Sequence, residues 1–322
     1  MHFHELLTLL DHDLPCVWVS VAGVRGSAPR EEGAGMVVAG STVAGTTVAG
    51  TTVRGTIGGG HLELKAIELA REWLRLGKTS AMQRHYPLGP ALGQCCGGAV
   101  DLLFRPVTED ERPWVEALTQ AEKIGGNIML RTRPDTDSPH TTLDAGAVSN
   151  TIVTRHAFHP WHVWIFGAGH VGKALVQVFG TLPCVLTWVD SRDTEFPPAA
   201  GHHVRVLQSD HPAGEVTDIP SGADVLVLTH SHALDLDIVT QLLRRNDLAY
   251  LGLIGSQTKA QLFHRRLAAR GLDAARMVCP IGAITAGKKD KHPGAIAVSV
   301  AADLLARRAA RSALSDQTVA HA

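Results

Sequence analysis

The chain has 322 residues, 45% of them hydrophobic, and a mean hydropathy of +0.06, which suits two globular domains with their own cores and excludes a disordered or fibrous protein. Lys and Arg number 30 against 31 Asp and Glu, a formal charge of −1 with no run of like charge, so neither a nucleic-acid partner nor an anionic membrane surface is expected. Five scattered cysteines suit a reducing compartment, and MHFHELLTLLDHD has neither the basic segment of a signal peptide nor the apolar length of a membrane span, so a cytoplasmic protein is expected.

Residues 1–133 read as an α/β domain, with strands at 15–24, 35–39 and 99–107 and an amphipathic helix at 61–76. GSAPR (26–30) follows the first strand, which puts Ser27 and Arg30 at a strand end, where Arg30 suits either a phosphate or a solvated turn. STVAG, TTVAG and TTVRG then repeat every five residues over 41–55. Strand side chains alternate with period two, so ten added residues preserve register, and a lengthened, solvent-facing hairpin is expected. GTIGGG next sets Gly58, Gly59 and Gly60 directly before the helix, which Gly77 and Lys78 close. Amides at such a helix start suit an anion such as phosphate, and the same glycines equally suit a tight turn at positive φ. His61 there is a helix cap or a ligand contact.

LGQCCGG (92–98) places Cys95 and Cys96 among glycines. Adjacent Cα atoms lie about 3.8 Å apart, below the span of an ordinary disulfide. The thiols read as soft ligands for a molybdenum, copper or Fe–S centre, as groups that handle a sulfur atom, or as small buried hydrophobes. There is no second cysteine pair with which this chain alone would build a structural zinc or cluster site.

Residues 134–160, rich in Asp, Ser, Thr and Pro, read as an interdomain linker with one short strand near 151–153. Over 161–310, strands at 162–166, 185–190, 223–229 and 249–255 alternate with helices at 169–180, 235–245 and 257–270, and residues 311–322 read as a frayed tail. The fold class is α/β: an N-terminal α/β domain followed by a Rossmann-like, doubly wound parallel-sheet domain. Gly167-Ala-Gly169-His170-Val-Gly172 follows a strand and opens a helix, and Asp190 ends the next strand 18 residues beyond Gly172. That context points to a dinucleotide site in which Asp190 would hydrogen-bond a ribose hydroxyl, or to a Rossmann scaffold whose site is vacant or reused. Thr229-His230-Ser231-His232 with Asp235 and Asp237 is superficially similar to a metallohydrolase cluster, although at H-x-H-x-x-D spacing a role in lining the cleft suits His230 better. Three readings remain open: a binding protein, an NAD(P)-dependent oxidoreductase using His170 or His230 as general acid, and a metallohydrolase.

Taken in order, GSAPR, GTIGGGHLE, LGQCCGG, IFGAGHVGKAL, VLTHSHALDLDI, GLIGS and CPIG resemble the XdhC family from about Val17 to Leu305, with the long repeat departing from that family's short hairpin before GTIGGG. The paired cysteines are similar to XdhC proper; relatives serving other molybdenum hydroxylases typically carry one. The resemblance implies a cytoplasmic, usually dimeric accessory protein of xanthine dehydrogenase, a chaperone and not an enzyme, acting in purine catabolism. It would bind molybdenum cofactor and protect it while a cysteine desulfurase installs the sulfido ligand, then deliver it to the molybdenum-binding subunit. The site it implies has Cys95 or Cys96 at the molybdenum with Gln94 beside them, and Ser27, Arg30, Gly58, Gly59, Gly60 and His61 near the cofactor phosphate. Gly167, Gly169, His170, Gly172, Asp190 and His230 would line the Rossmann cleft, whose occupant on the sequence alone is a dinucleotide, part of the cofactor, or nothing.

Overall fold

The chain divides between His159 and Pro160 into two units. The computed structural model describes residues 3–43, 46–89, 97–137, 140–143, 150–197, 204–282 and 291–319, without the side chains of 41–51 and 312–319.

In the first unit α1 (His4–Asp11) precedes β1 (Cys16–Arg25), β2 (Gly35–Val43), β3 (Thr46–Gly55), α2 (Gly60–Arg75), β4 (Met82–Pro87) and β5 (Ala99–Val107). The five strands form an antiparallel sheet in the order β3-β2-β1-β5-β4. β1 is covered on both faces, which is why its sequence is a nearly unbroken apolar run. Val17, Val19 and Val21 pack with Leu62, Ala66, Ala70 and Leu74 of α2, while Cys16 and Trp18 point the other way, toward Leu6 and Leu10 of α1. That second face is completed by α3 (Arg112–Ile124) and by a small sheet of β6 (Gly126–Thr132), β7 (Thr141–Leu143) and β8 (Ile152–Phe158), in the order β7-β6-β8. The repeat lies in the β2–β3 hairpin, where Val43 pairs with Thr46 and Ser41 with Val48, so the expected lengthened hairpin is present in the backbone.

Residues 134–160 are not the linker expected of them. β7 and β8 fall inside that span and pair with β6, and the first unit extends to His159 instead of ending at 133. The polar composition misleads because the inward side chains of this small sheet meet a buried cation. Arg105 of β5, fully buried, donates from Nε to Thr132 Oγ1 (2.9 Å), from Nη1 to Ser20 Oγ (2.7 Å) and from Nη2 to Thr154 Oγ1 (3.0 Å), and lies 4.7 Å over the Trp18 ring. Hydroxyls here take the place that apolar side chains hold in an ordinary core.

The second unit contains β9 (Trp161–Phe166), α4 (His170–Phe179), β10 (Cys184–Asp190), β11 (Val204–Gln208), β12 (Asp224–Val227), α5 (His232–Leu243), β13 (Tyr250–Leu253), α6 (Gln257–Ala268), β14 (Met277–Val278) and α7 (Pro293–Val319). Its six strands are parallel, in the order β11-β10-β9-β12-β13-β14, so the sheet is doubly wound and its order reverses between β9 and β12. One face buries Leu236, Val239 and Leu242 of α5 and Phe263 of α6; the other buries Leu175 and Phe179 of α4 with Ala297, Val300 and Leu304 of α7. The tail expected to fray from 311 is instead the end of α7, helical to Val319. Arg311 ties it down: its Nη2 lies 3.2 Å from Oδ2 of Asp224, a fully buried carboxylate that also accepts from Trp161 Nε1 at 2.7 Å. Among the described residues, no helix is long and apolar enough to cross a membrane.

Candidate functional site

Three motifs of the first unit meet at one edge of its sheet. The register sets Arg25 opposite Ala99, so Gly26-Ser27 leaves β1 beside Gly97-Gly98, which leads into β5. A Cβ on Gly98 would collide with the carbonyl oxygens of Arg25 and Ser27, and one on Gly26 (φ 68°) would lie 3.2 Å from the Gly98 Cα. On the same segment, Gly58 (φ 123°) has no room for a Cβ against Pro29. Glycine is needed at Gly26 and Gly98 because backbones approach so closely, and at Gly58 because the Pro29 ring fills the space of a side chain. Ser27, Gly58, Gly60, His61 and Gly97 are all exposed around this edge. Arg30 pairs with its neighbour Glu31 at 3.2 Å, an exposed contact too weak to hold the guanidinium against a better anion. Gln94, Cys95 and Cys96 lie outside the described residues. Sequence reasoning missed Asp101, whose carboxylate lies 2.7 Å from His85 Nδ1 and 3.4 Å from Arg25 Nη2 at the base of the same edge.

The glycine turn already holds an anion, and the chain itself supplies it. Glu63 folds back from the first turn of α2, and its Oε2 accepts from the Thr56 hydroxyl (2.6 Å) and from the amides of Ile57 (3.0 Å) and Gly59 (3.1 Å). The Gly58 amide donates to Thr56 Oγ1 at 3.0 Å. The tight-turn reading therefore holds, with Gly58, Gly59 and Gly60 all at positive φ, while the amides of Gly58 and Gly59 offered to a phosphate are engaged internally. Burial opposes ionisation of Glu63, but Thr56 and the amides of Ile57, Gly59 and Gly58 outweigh it and hold the carboxyl below the ordinary glutamate value. A depressed folded pKa contributes stability above the unfolded value of about 4.3, lost as pH falls through the folded one. Glu63→Ala is expected to lower the stability of the first unit by about 1 kcal/mol at neutral pH, with the difference shrinking in acid. Urea midpoints at the two pH values check this, and an unchanged midpoint at neutral pH would remove Glu63 from the role.

In the second unit Gly167 follows β9 at φ 124°; its amide donates to the Val189 carbonyl (2.7 Å) and its carbonyl accepts from Trp188 Nε1 (3.0 Å). A Cβ on Gly167 would strike the Leu228 carbonyl, and one on Gly172 the Gly167 carbonyl. Gly169 differs, because nothing lies within 4 Å of where its Cβ would stand, at the N-cap of α4. Helix amides under such an opening can meet a phosphate, at the point where the sheet order reverses. His170 and His230 are exposed at that edge.

Asp190 is not the free ribose acceptor its position implies. It is 3% exposed, its Oδ2 accepts from the Ala168 amide (2.6 Å) and Arg192 Nη2 (3.0 Å), and its Oδ1 accepts from the Arg192 amide (2.9 Å) and Nε (3.0 Å). Burial works to raise its pKa, but Arg192 and the Ala168 amide outweigh that and hold the carboxyl below the usual aspartate value. Arg192, which the sequence did not single out, also reaches Glu195 Oε1 (3.2 Å), whose Oε2 takes Lys173 Nζ at 2.8 Å.

The histidine-rich segment after β12 is a clamp. Asp235 is fully buried; its Oδ1 accepts from the Thr229 amide (2.9 Å) and hydroxyl (2.7 Å), and its Oδ2 from Lys259 Nζ (2.6 Å). Lys259 also donates to the Ile254 carbonyl at 2.9 Å, so one ion pair joins the loops after β12 and β13. His230 and His232 are exposed, and among the described residues no group of three His, Cys, Asp or Glu is placed to hold a metal. With Asp235 engaged in this way, the metallohydrolase reading loses the carboxylate at the H-x-H-x-x-D position.

Comparison with known proteins follows the same division. An uncharacterized Escherichia coli K12 protein, YqeB, is 29% identical over 226 residues, which is 67% of this chain and 38% of that longer relative. A Bacillus halodurans crystal structure described as a xanthine dehydrogenase superposes over 97% of each chain with a TM-score of 0.72 at 21% identity, a likeness of fold. Residues 9–87 match the XdhC and CoxI family and residues 163–304 match the XdhC Rossmann domain, and with both matches in that order the chain belongs to the XdhC family.

Proposed function

We propose that this chain is an accessory protein of xanthine dehydrogenase that holds molybdenum cofactor at the motif edge of its first unit. It protects the cofactor while a cysteine desulfurase supplies the sulfido ligand, and passes it to the molybdenum-binding subunit, acting as a cytoplasmic dimer. The observation that carries this reading is the convergence of GSAPR, GTIGGG and the glycines after Cys96 on one exposed edge. The donor set suits an anionic pterin with a phosphate. Arg30 and the Ser27 hydroxyl stand at the edge for the anion, as do the helix-start amides beyond Gly59. Cys95 and Cys96, in the two positions before Gly97, offer thiolate for the metal. When bound, the cofactor supplies the redox metal of the target enzyme; the residues named here would hold it at this edge.

The opening over Gly169 favours a second ligand, and we propose that the Rossmann unit binds a dinucleotide there through its pyrophosphate. An NAD(P)-dependent oxidoreductase would use the same turn, so turnover separates the two functions. Protein purified from cells that make the cofactor is expected to carry molybdenum and pterin, and Cys95→Ala and Cys96→Ala to fold normally yet lose most of both. Unchanged content in both variants overturns the thiol assignment, and reduced-nicotinamide oxidation by metal-free protein would favour the oxidoreductase.

A further inference from the structure

We propose that the nucleotide site of the second unit selects a dinucleotide whose adenosine ribose carries a phosphate, as in NADP⁺, over one with a free diol, as in NAD⁺, through Arg192 and Lys173. The proposal rests on the reading of Gly167–Gly172 as a nucleotide site.

In a Rossmann unit the residue that ends the second strand faces the adenosine ribose; a free carboxylate there accepts the diol, and a nearby arginine receives a phosphate. Here that residue is Asp190, at the end of β10. A carboxylate has about four acceptor positions, and the Ala168 amide, the Arg192 amide and two guanidinium nitrogens fill all four. A diol therefore finds no acceptor unless Arg192 is pulled away.

What faces the ligand instead is cationic. Two nitrogens of Arg192 are fixed on Asp190, which sets the plane of the guanidinium and leaves Nη1 directed at Glu195. Lys173 Nζ reaches the other oxygen of the same glutamate. Arg192, Lys173 and Glu195 are all partly exposed, at 34%, 44% and 31%, so this outer layer is open while the Asp190 layer beneath it is closed. Glu195 bridges the two cations as a single carboxylate. A phosphomonoester in that place brings more charge and a third acceptor oxygen, and it leaves the Asp190–Arg192 pair intact. Glu195 is thus a displaceable stand-in. The position of the loop is also set: Phe196 packs edge-on against Trp188 with ring centroids 5.1 Å apart, and Trp188 Nε1 donates to the Gly167 carbonyl. One indole therefore fixes both the glycine turn and the loop that carries Arg192.

Calorimetric titration of the full chain with NADP⁺ and with NAD⁺ tests the proposal. NADP⁺ is expected to bind about tenfold tighter or more. Arg192→Ala is expected to erase or reverse the preference, since it also frees Asp190 for a diol. Lys173→Ala touches only the outer layer and keeps the test intact should Arg192→Ala fail to fold; it is expected to lower NADP⁺ affinity several-fold and leave NAD⁺ unchanged. Glu195→Gln is expected to strengthen NADP⁺ alone. NAD⁺ binding as tightly as NADP⁺, or a preference that survives in Lys173→Ala and in folded Arg192→Ala, overturns the selectivity while the nucleotide site stands. Binding of neither dinucleotide overturns the nucleotide reading and the selectivity with it.

Discussion

Replacing Asp235 with alanine is expected to destabilise the second unit by about 3–5 kcal/mol, the cost of leaving one member of a buried ion pair without its partner. Asp235 is fully buried and the Lys259 side chain only 9% exposed. The substitution strands the ammonium, which keeps the Ile254 carbonyl and the face of the Phe263 ring 5.4 Å away, and it removes the single oxygen that accepts from both the Thr229 amide and its hydroxyl. Burying an uncompensated charge outweighs the side-chain entropy that alanine releases. If the penalty comes from the stranded charge, removing that charge restores much of the loss, so Asp235→Ala combined with Lys259→Met is expected to be clearly more stable than Asp235→Ala alone. Urea denaturation of the single and double variants closes the cycle. A single-variant loss below about 1 kcal/mol, the range of a surface pair, would show the clamp to be solvated.

Asp235 also illustrates what the sequence could and could not show. The strand before it was legible because parallel strands covered on both faces read as apolar runs, as in ADVLVLT, and β9, β10 and β13 were legible for the same reason. The carboxylate's partner was not, because Lys259 lies 24 residues away on a helix where a lysine normally faces water. β11 escaped notice because it is an edge strand whose residues are mostly exposed, and β14 because it is two residues long. β8 was legible only at its start, as the short strand expected near 151–153, because its later inward positions, Thr154 and His156, are polar side chains chosen by Arg105 and its surroundings instead of by an apolar core. At the nucleotide site, spacing located Asp190 but could not show that Arg192 engages it. At the motif edge, the glycines were visible as a pattern, but only the fold shows that Gly26 faces Gly98 and that Gly58 faces Pro29.

Mild acid is expected to open the first unit by way of that same polar core. His156 is 7% exposed, sits among Phe3, Trp18 and Phe158, and its Nε2 lies 3.2 Å from Thr154 Oγ1. Burial first and the Arg105 cation second push its pKa down from 6.5 to about 4. His140, fully buried with Nδ1 3.1 Å from Glu111 Oε1, moves in the same direction for the same two reasons. For a base with a depressed folded pKa, the unfolded chain binds the proton first. Stability is therefore whole above about pH 6.5 and falls as pH drops toward 4, by about 3 kcal/mol for a gap of this size. Glu111, whose pKa burial raises, takes up a proton in the folded state and offsets part of the loss, so the two histidines together cost less than their sum. His156→Phe keeps the aromatic packing and removes one titration. It gives up the contact with Thr154 at neutral pH, yet its stability is expected to fall less steeply between pH 6.5 and 4 than that of the unaltered chain, by about 3 kcal/mol over the interval. Hydrogen exchange in β6 and β8 across that range reads the opening of this unit separately from the other, and parallel pH profiles for the two proteins would move the source of acid sensitivity away from the neutral imidazole of His156.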